Sequence, residues 1–92
     1  VYIGPADLTL GITEGRLPPG MDREEEEMID RIKTILGAAK KAEKKACLHC
    51  VKTSYAIQAI KWGFDLVTLN SDTRLLVSSA SHSINEFRNG LK

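Results

Sequence analysis

Ala46-Cys47-Leu48-His49-Cys50-Val51, then Thr53 through Trp62, Gly63, and Phe64-Asp65-Leu66-Val67-Thr68-Leu69 is the stretch that decides the fold. A short apolar run predicts a strand over Ala46–Val51. Thr53 or Ser54 caps a helix running to Trp62, with Tyr55, Ala56, Ala59 and Ile60 facing inward. Gly63 falls where a helix ends in a left-handed residue. Phe64–Leu69 is the next strand, with Leu66, Val67 and Leu69 as its apolar members. Strand, helix, strand in so few residues argues for a βαβ unit with parallel strands.

The same alternation extends both ways. Upstream, Asp22–Lys45 reads as a long helix, with Met28, Ile29, Ile32, Ile35, Leu36 and Ala39 on one stripe. Asp22 and Glu25 have capping-box spacing. Glu24–Glu27 lie at the positive end of the helix dipole and Lys40, Lys41, Lys44 and Lys45 at its negative end, which accounts for both charge runs without a ligand. Thr9–Met21 is expected to be a loop, broken by Gly11, Gly15 and Pro18-Pro19-Gly20. Val1-Tyr2-Ile3-Gly4 reads as the end of a strand followed by a turn, so the chain is expected to be a piece of something longer, cut within a strand. Downstream, Asp72 caps a last helix through Asn89, with Leu75, Leu76, Ala80, Ile84 and Phe87 on one face.

The predicted fold class is therefore α/β with parallel strands, in the order β-loop-α-β-α-β-α, within one partial domain over 1–92. A three-stranded parallel sheet has two open edges and wants both faces covered. Three βα units are a natural part of a (β/α)₈ barrel, which takes ~250 residues in full.

Composition sets limits on function. The 92 residues carry 13 basic and 12 acidic side chains, a net charge of +1, which removes a whole-surface attraction to nucleic acid or anionic lipid. Mean hydropathy is −0.18, and no apolar run approaches the ~20 residues that span a bilayer. The expected partners therefore include no nucleic acid and no membrane. Two cysteines do not make a disulfide scaffold, so a reducing, cytoplasmic setting is expected.

Two constellations carry possible chemistry. Gly4-Pro5-Ala6-Asp7-Leu8 leaves a strand at its carboxyl end, where α/β proteins form their sites. The Gly-Pro turn frees the N–H groups of Ala6 and Asp7, and Asp7 adds a carboxylate, a set suited to a divalent metal and an anionic substrate. Asp in such a turn also has a purely structural use. Cys47-Leu48-His49-Cys50 contains the spacing of a redox pair or half a zinc site, but on a strand Cys47 and Cys50 point to opposite faces. Cys50, nearer the carboxyl end, is the candidate to line a pocket. His49 is expected to pack under a helix, and His82 to be exposed in mid-helix.

Tyr2-Ile3-Gly4-Pro5-Ala6-Asp7-Leu8-Thr9 resembles the sixth-strand signature of the HpcH/HpaI aldolase and citrate lyase family. Leu17-Pro18-Pro19-Gly20, Leu48-His49-Cys50, Trp62-Gly63-Phe64-Asp65-Leu66-Val67-Thr68 and Ser71-Asp72-Thr73-Arg74-Leu75-Leu76 are similar to later parts of the same family, in order. The resemblance implies the last three βα units of a TIM barrel. It implies class II aldolase chemistry, a carbon–carbon lyase acting on pyruvate or another 2-oxo acid and an aldehyde, with magnesium, manganese or cobalt as Lewis acid. A lyase acting on acyl-CoA thioesters is the close variant. By that resemblance Asp7 is a metal ligand, the N–H groups of Ala6 and Asp7 hold the substrate carboxylate, and Gly4, Pro5 and Leu8 shape the motif. The family's metal-binding glutamate, its arginine and its histidine have no counterpart in these residues, and Glu14, Glu24 and Arg16 do not take their places. The isolated chain is thus expected to be inactive. The resemblance also implies a homo-oligomer in which Asp72–Asn89 crosses between chains. Three departures stand out: Val51-Lys52 where relatives carry Gly-Ser, Asn70 where a Gly precedes Ser-Asp, and Cys47 in place of a small residue. The alternative is a non-catalytic α/β module that binds metal or a partner through the Cys47/His49/Cys50 strand.

Overall fold

The computed structural model describes residues 1–92. Its elements are β1 (Tyr2–Ile3), α1 (Pro5–Thr13), α2 (Glu26–Lys41), β2 (Cys47–Cys50), α3 (Thr53–Trp62), β3 (Leu66–Leu69) and α4 (Asp72–Gly90). The three strands form an open parallel sheet in the order β1-β2-β3. Ile3 pairs with Leu48 and Leu48 with Val67, so side chains in register share a face. Ile3, Leu48 and Cys50 point to the side covered by α2 and α3, and there they meet Ile32, Leu36, Tyr55 and Ala59 in one buried cluster. The opposite side carries Tyr2, Cys47, His49, Leu66 and Thr68, and Tyr2 and Leu66 remain 59% and 58% exposed. The sheet thus has a covered face and an open one. No helix is long and apolar enough to cross a membrane.

The α2 stripe forms as expected: Met28, Ile32, Leu36 and Ala39 are buried at helical spacing. Its ends differ. Asp22 has φ +49°, a left-handed conformation no helix accepts, so the Asp22/Glu25 capping box does not form and α2 starts only at Glu26, with Glu25 as its N-cap. At the other end Glu43 has φ +57° and Lys44 N–H donates to Ala39 O at 2.8 Å, closing the helix before Lys45.

Thr9–Met21 is not all loop. α1 runs on from Pro5 through Thr13, and the loop begins at Glu14, whose φ is +50°. Pro5 starts it well, because N1 needs no N–H. Its buried positions are Pro5, Thr9 and Thr13, and the threonine hydroxyls donate to the carbonyls of Pro5 and Thr9, each at 2.6 Å. Four-residue spacing of Pro, Thr and Thr gives no apolar signal.

α3 buries Tyr55, Ala56 and Ala59 and ends at Gly63, with φ +116°; Ile60, expected inside, is 48% exposed. β2 and β3 are each shorter than the expected Ala46–Val51 and Phe64–Leu69, because Ala46 N–H turns to the Asp65 carboxylate and Phe64 enters the core from the turn. Asn70 has φ +75°, and its own Oδ1 accepts from Ser71 N–H at 3.0 Å, which explains why a glycine would also serve there. Ser71 rather than Asp72 caps α4, its Oγ accepting from Arg74 N–H at 3.3 Å. The expected inward face of α4 is not covered. No α4 residue is buried, and Leu76 and Phe87 are 72% and 68% exposed.

Candidate functional site

The carboxyl ends of the three strands lead into α1, α3 and α4, and all three helix N-termini border one cleft of about 440 Å³. Ala6 from α1, Met21 and Asp22 from the loop, Val51 and Lys52 before α3, and Arg74 in the first turn of α4 line it. This is the position where open parallel sheets bind ligands.

The far wall is the Pro18–Asp22 loop, held by three tethers. The Arg23 guanidinium is buried and donates to Pro18 O at 3.1 Å and to the Glu25 carboxylate at 3.0 and 2.5 Å. Tyr55 Oη donates to Arg23 O at 2.6 Å, which fixes the loop to α3. Gly20 lies so close that a Cβ there would collide with Arg23 Nη1. The third tether is Asp22, whose carboxylate accepts from Val51 N–H at 2.9 Å and Lys52 N–H at 2.7 Å. α3 has no acid in its first turn, so a carboxylate from 30 residues upstream does the capping.

The Gly4-Pro5-Ala6-Asp7-Leu8 motif, read as a turn entering a loop, is instead the start of α1. Gly4 is the N-cap of α1, and Leu8 N–H donates to Gly4 O at 3.0 Å. The N–H groups of Ala6 and Asp7 donate to no group in the chain. Ala6 borders the cleft, whereas the exposed Asp7 turns its carboxylate back toward Gly4, 3.7 Å from where a Cβ on that glycine would sit. Leu8 is half-buried and packs against the core. No three His, Cys, Asp or Glu side chains converge in a way that would hold a metal ion.

Cys50 lies elsewhere than expected. It is fully buried on the helix-covered face, and its thiol donates to Leu48 O at 3.7 Å. Burial, with the Asp22 charge adding to it, pushes the thiol up to about 11. Cys50 therefore packs under the cleft rather than lining it. Burial raises the Tyr55 phenol as well. Strand alternation sends Cys47 and His49 to the open face, so Cys47, His49 and Cys50 do not share one site. His49 is not under a helix: its Nδ1 shares hydrogen bonds with Tyr2 Oη at 2.9 Å and Thr68 Oγ1 at 2.6 Å. Thr68 Oγ1 also accepts from Cys50 N–H at 3.1 Å. His82 is exposed, 4.0 Å from Glu86.

Asp22, Lys52 and Arg74 were not among the expected site residues. Lys52 and Arg74 do leave a trace in the sequence, since each puts a cation at the positive end of a helix, against the usual preference. No protein-family model and no curated protein matches the chain.

Proposed function

We propose that the chain supplies three βα units of a (β/α)₈ barrel and part of the active site of a class II aldolase that forms or cleaves a carbon–carbon bond through a 2-oxo-acid enolate. The observation that carries this reading is the start of α1. Pro5 at N1 leaves the Ala6 and Asp7 N–H groups unspent at the carboxyl end of β1, and the Asp7 carboxylate lies at the same helix end. Two N–H donors at a helix N-terminus suit the carboxylate of pyruvate or a related 2-oxo acid. They hold it in a fixed orientation with no reorganisation, because the helix already aims them.

A divalent cation in the site would act as a Lewis acid toward the 2-oxo group. Asp7 fits as one hard oxygen donor, exposed and free of any ion pair within the chain. Such a cation takes about six oxygen ligands, so further donors belong to other parts of the assembled enzyme. The open face of the sheet supports the barrel reading, since parallel sheets are ordinarily covered on both sides. The uncovered apolar face of α4 supports a homo-oligomer.

The test is exchange of the pyruvate methyl protons in D₂O by the complete enzyme that contains these residues, followed by NMR with magnesium, manganese or cobalt present. Exchange is expected, with loss on chelation and a fall of about two orders of magnitude or more in Asp7→Asn, whose amide supplies a dipole where the carboxylate supplied charge. Wild-type exchange in Asp7→Asn with an intact fold would remove Asp7 from the site. Absence of exchange in the wild-type enzyme would remove the aldolase reading.

A further inference from the structure

Lys52 and Arg74 come from different strand–helix junctions, yet both border the 440 Å³ cleft. Both side chains are exposed, and neither makes a hydrogen bond or ion pair within the chain. Arg74 also borders an adjoining cavity of about 460 Å³ with Asn70 and Thr73. The one acid lining the cleft is Asp22, and its two oxygens are already engaged by the N–H groups of Val51 and Lys52.

Both cations also sit at helix N-termini: Lys52 is the N-cap of α3, where Asp22 takes its N–H, and Arg74 lies in the first turn of α4 with Asp72. Positive charge at the positive end of a helix dipole is unfavourable, and such breaches of a local preference concentrate at functional positions. An anion between the two would offset both terms at once.

From this we infer that the cleft binds a small molecule through an oxyanion group, a carboxylate or a phosphate, held between Lys52 and Arg74. The Arg74 fork matches two oxygens of either group, and Lys52 adds a point charge. Ala6 borders the same cleft, but the inference rests on Lys52 and Arg74 and does not depend on the aldolase reading.

The experiment is an amide-NMR titration of the 92-residue chain with inorganic phosphate and with malonate, at ionic strength held constant with chloride. Saturable shifts are expected at residues 51–53 and 73–75. Affinity is expected to fall about fivefold or more in Arg74→Gln and in Lys52→Gln, and further in the double variant. Arg74→Lys, which keeps the charge and loses the fork, is expected to fall between wild type and Arg74→Gln. Stronger binding of phosphate would identify a phosphoryl ligand, and stronger binding of malonate a carboxylate. Both side chains are exposed and unbonded, so the variants keep the fold, which unchanged shifts elsewhere would verify. Unsaturable shifts for both anions, or equal affinity in the double variant, would overturn the inference.

Discussion

Replacing Asp22 tests how the cleft is built. Its carboxylate takes two backbone N–H groups, those of Val51 at 2.9 Å and Lys52 at 2.7 Å. Hydrogen bonds to a charged group contribute about 1.5–3 kcal/mol each when sheltered. The Val51 bond is part-buried and counts near the lower figure, while water replaces much of the exposed Lys52 bond. Together they are worth about 2 kcal/mol. The backbone adds a second term, since Asp22 has φ +49° and a residue without a short polar side chain pays about 1–2 kcal/mol in that region. Asp22→Ala is therefore expected to lose about 3 kcal/mol, and Asp22→Gly, which is at ease in the left-handed region, about 2 kcal/mol. Asp22→Asn keeps one acceptor and the backbone preference, and should lose about 1 kcal/mol. For a domain of this size each kcal/mol is about 4–8 °C in Tm. The assay is urea and thermal unfolding at one protein concentration, with amide exchange at Val51 and Lys52 as the local readout. An Asp22→Ala variant within about 0.5 kcal/mol of wild type, with those two amides still protected, would refute the tether.

Two further predictions concern titrating groups. The hydrogen bond from Lys40 Nζ, then that from Ala46 N–H, holds the Asp65 carboxyl below the usual carboxylate range. A lowered folded pKa means that this contribution is full above the ordinary value of about 3.9 and is lost as pH falls through the folded one. Asp65→Asn should accordingly be less stable than wild type at neutral pH, with the gap closing in acid; a gap that stays constant from pH 7 to pH 3 would contradict it. For the cysteines, the Cys50 thiol at about 11 leaves about one part in a thousand as thiolate at pH 8. Iodoacetamide should therefore modify the half-buried Cys47 first and Cys50 only on unfolding, and a mass spectrum of the native protein with equal labelling of both would count against the buried placement.

The fold was legible where burial and periodicity coincide. Strand alternation in Cys47–Cys50, the Met28–Ile32–Leu36 stripe and the Gly63 stop each state a local fact that tertiary structure keeps. α1 was hidden because Thr9 and Thr13 satisfy their hydroxyls within the helix and so bury without looking apolar. Asp22 was misread because Asp at that spacing is a good N-cap, and only the long-range bonds to Val51 and Lys52 show that it caps a different helix. The position of Ala6 and Asp7 at the end of a strand was readable from Gly4-Pro5. The parallel order of β2 and β3 puts the junctions of Lys52 and Arg74 at one end of the sheet, but only the folded loops show both side chains on one cleft.

Because α4 buries none of its 19 residues, it has its own thermodynamics. A solitary helix of this length, carrying Ser78, Ser79, Ser81 and Ser83, is marginal in water, and nothing in its tertiary surroundings raises it. The isolated chain consequently consists of a cooperative α/β body, with the first turn of α4 at its cleft, and later turns of α4 in their own helix–coil equilibrium. Its ellipticity at 222 nm therefore carries two melts: a sigmoid from α1, α2 and α3, and beneath it the shallow, nearly linear slope of α4. A single fitted transition would underestimate how sharply the body unfolds.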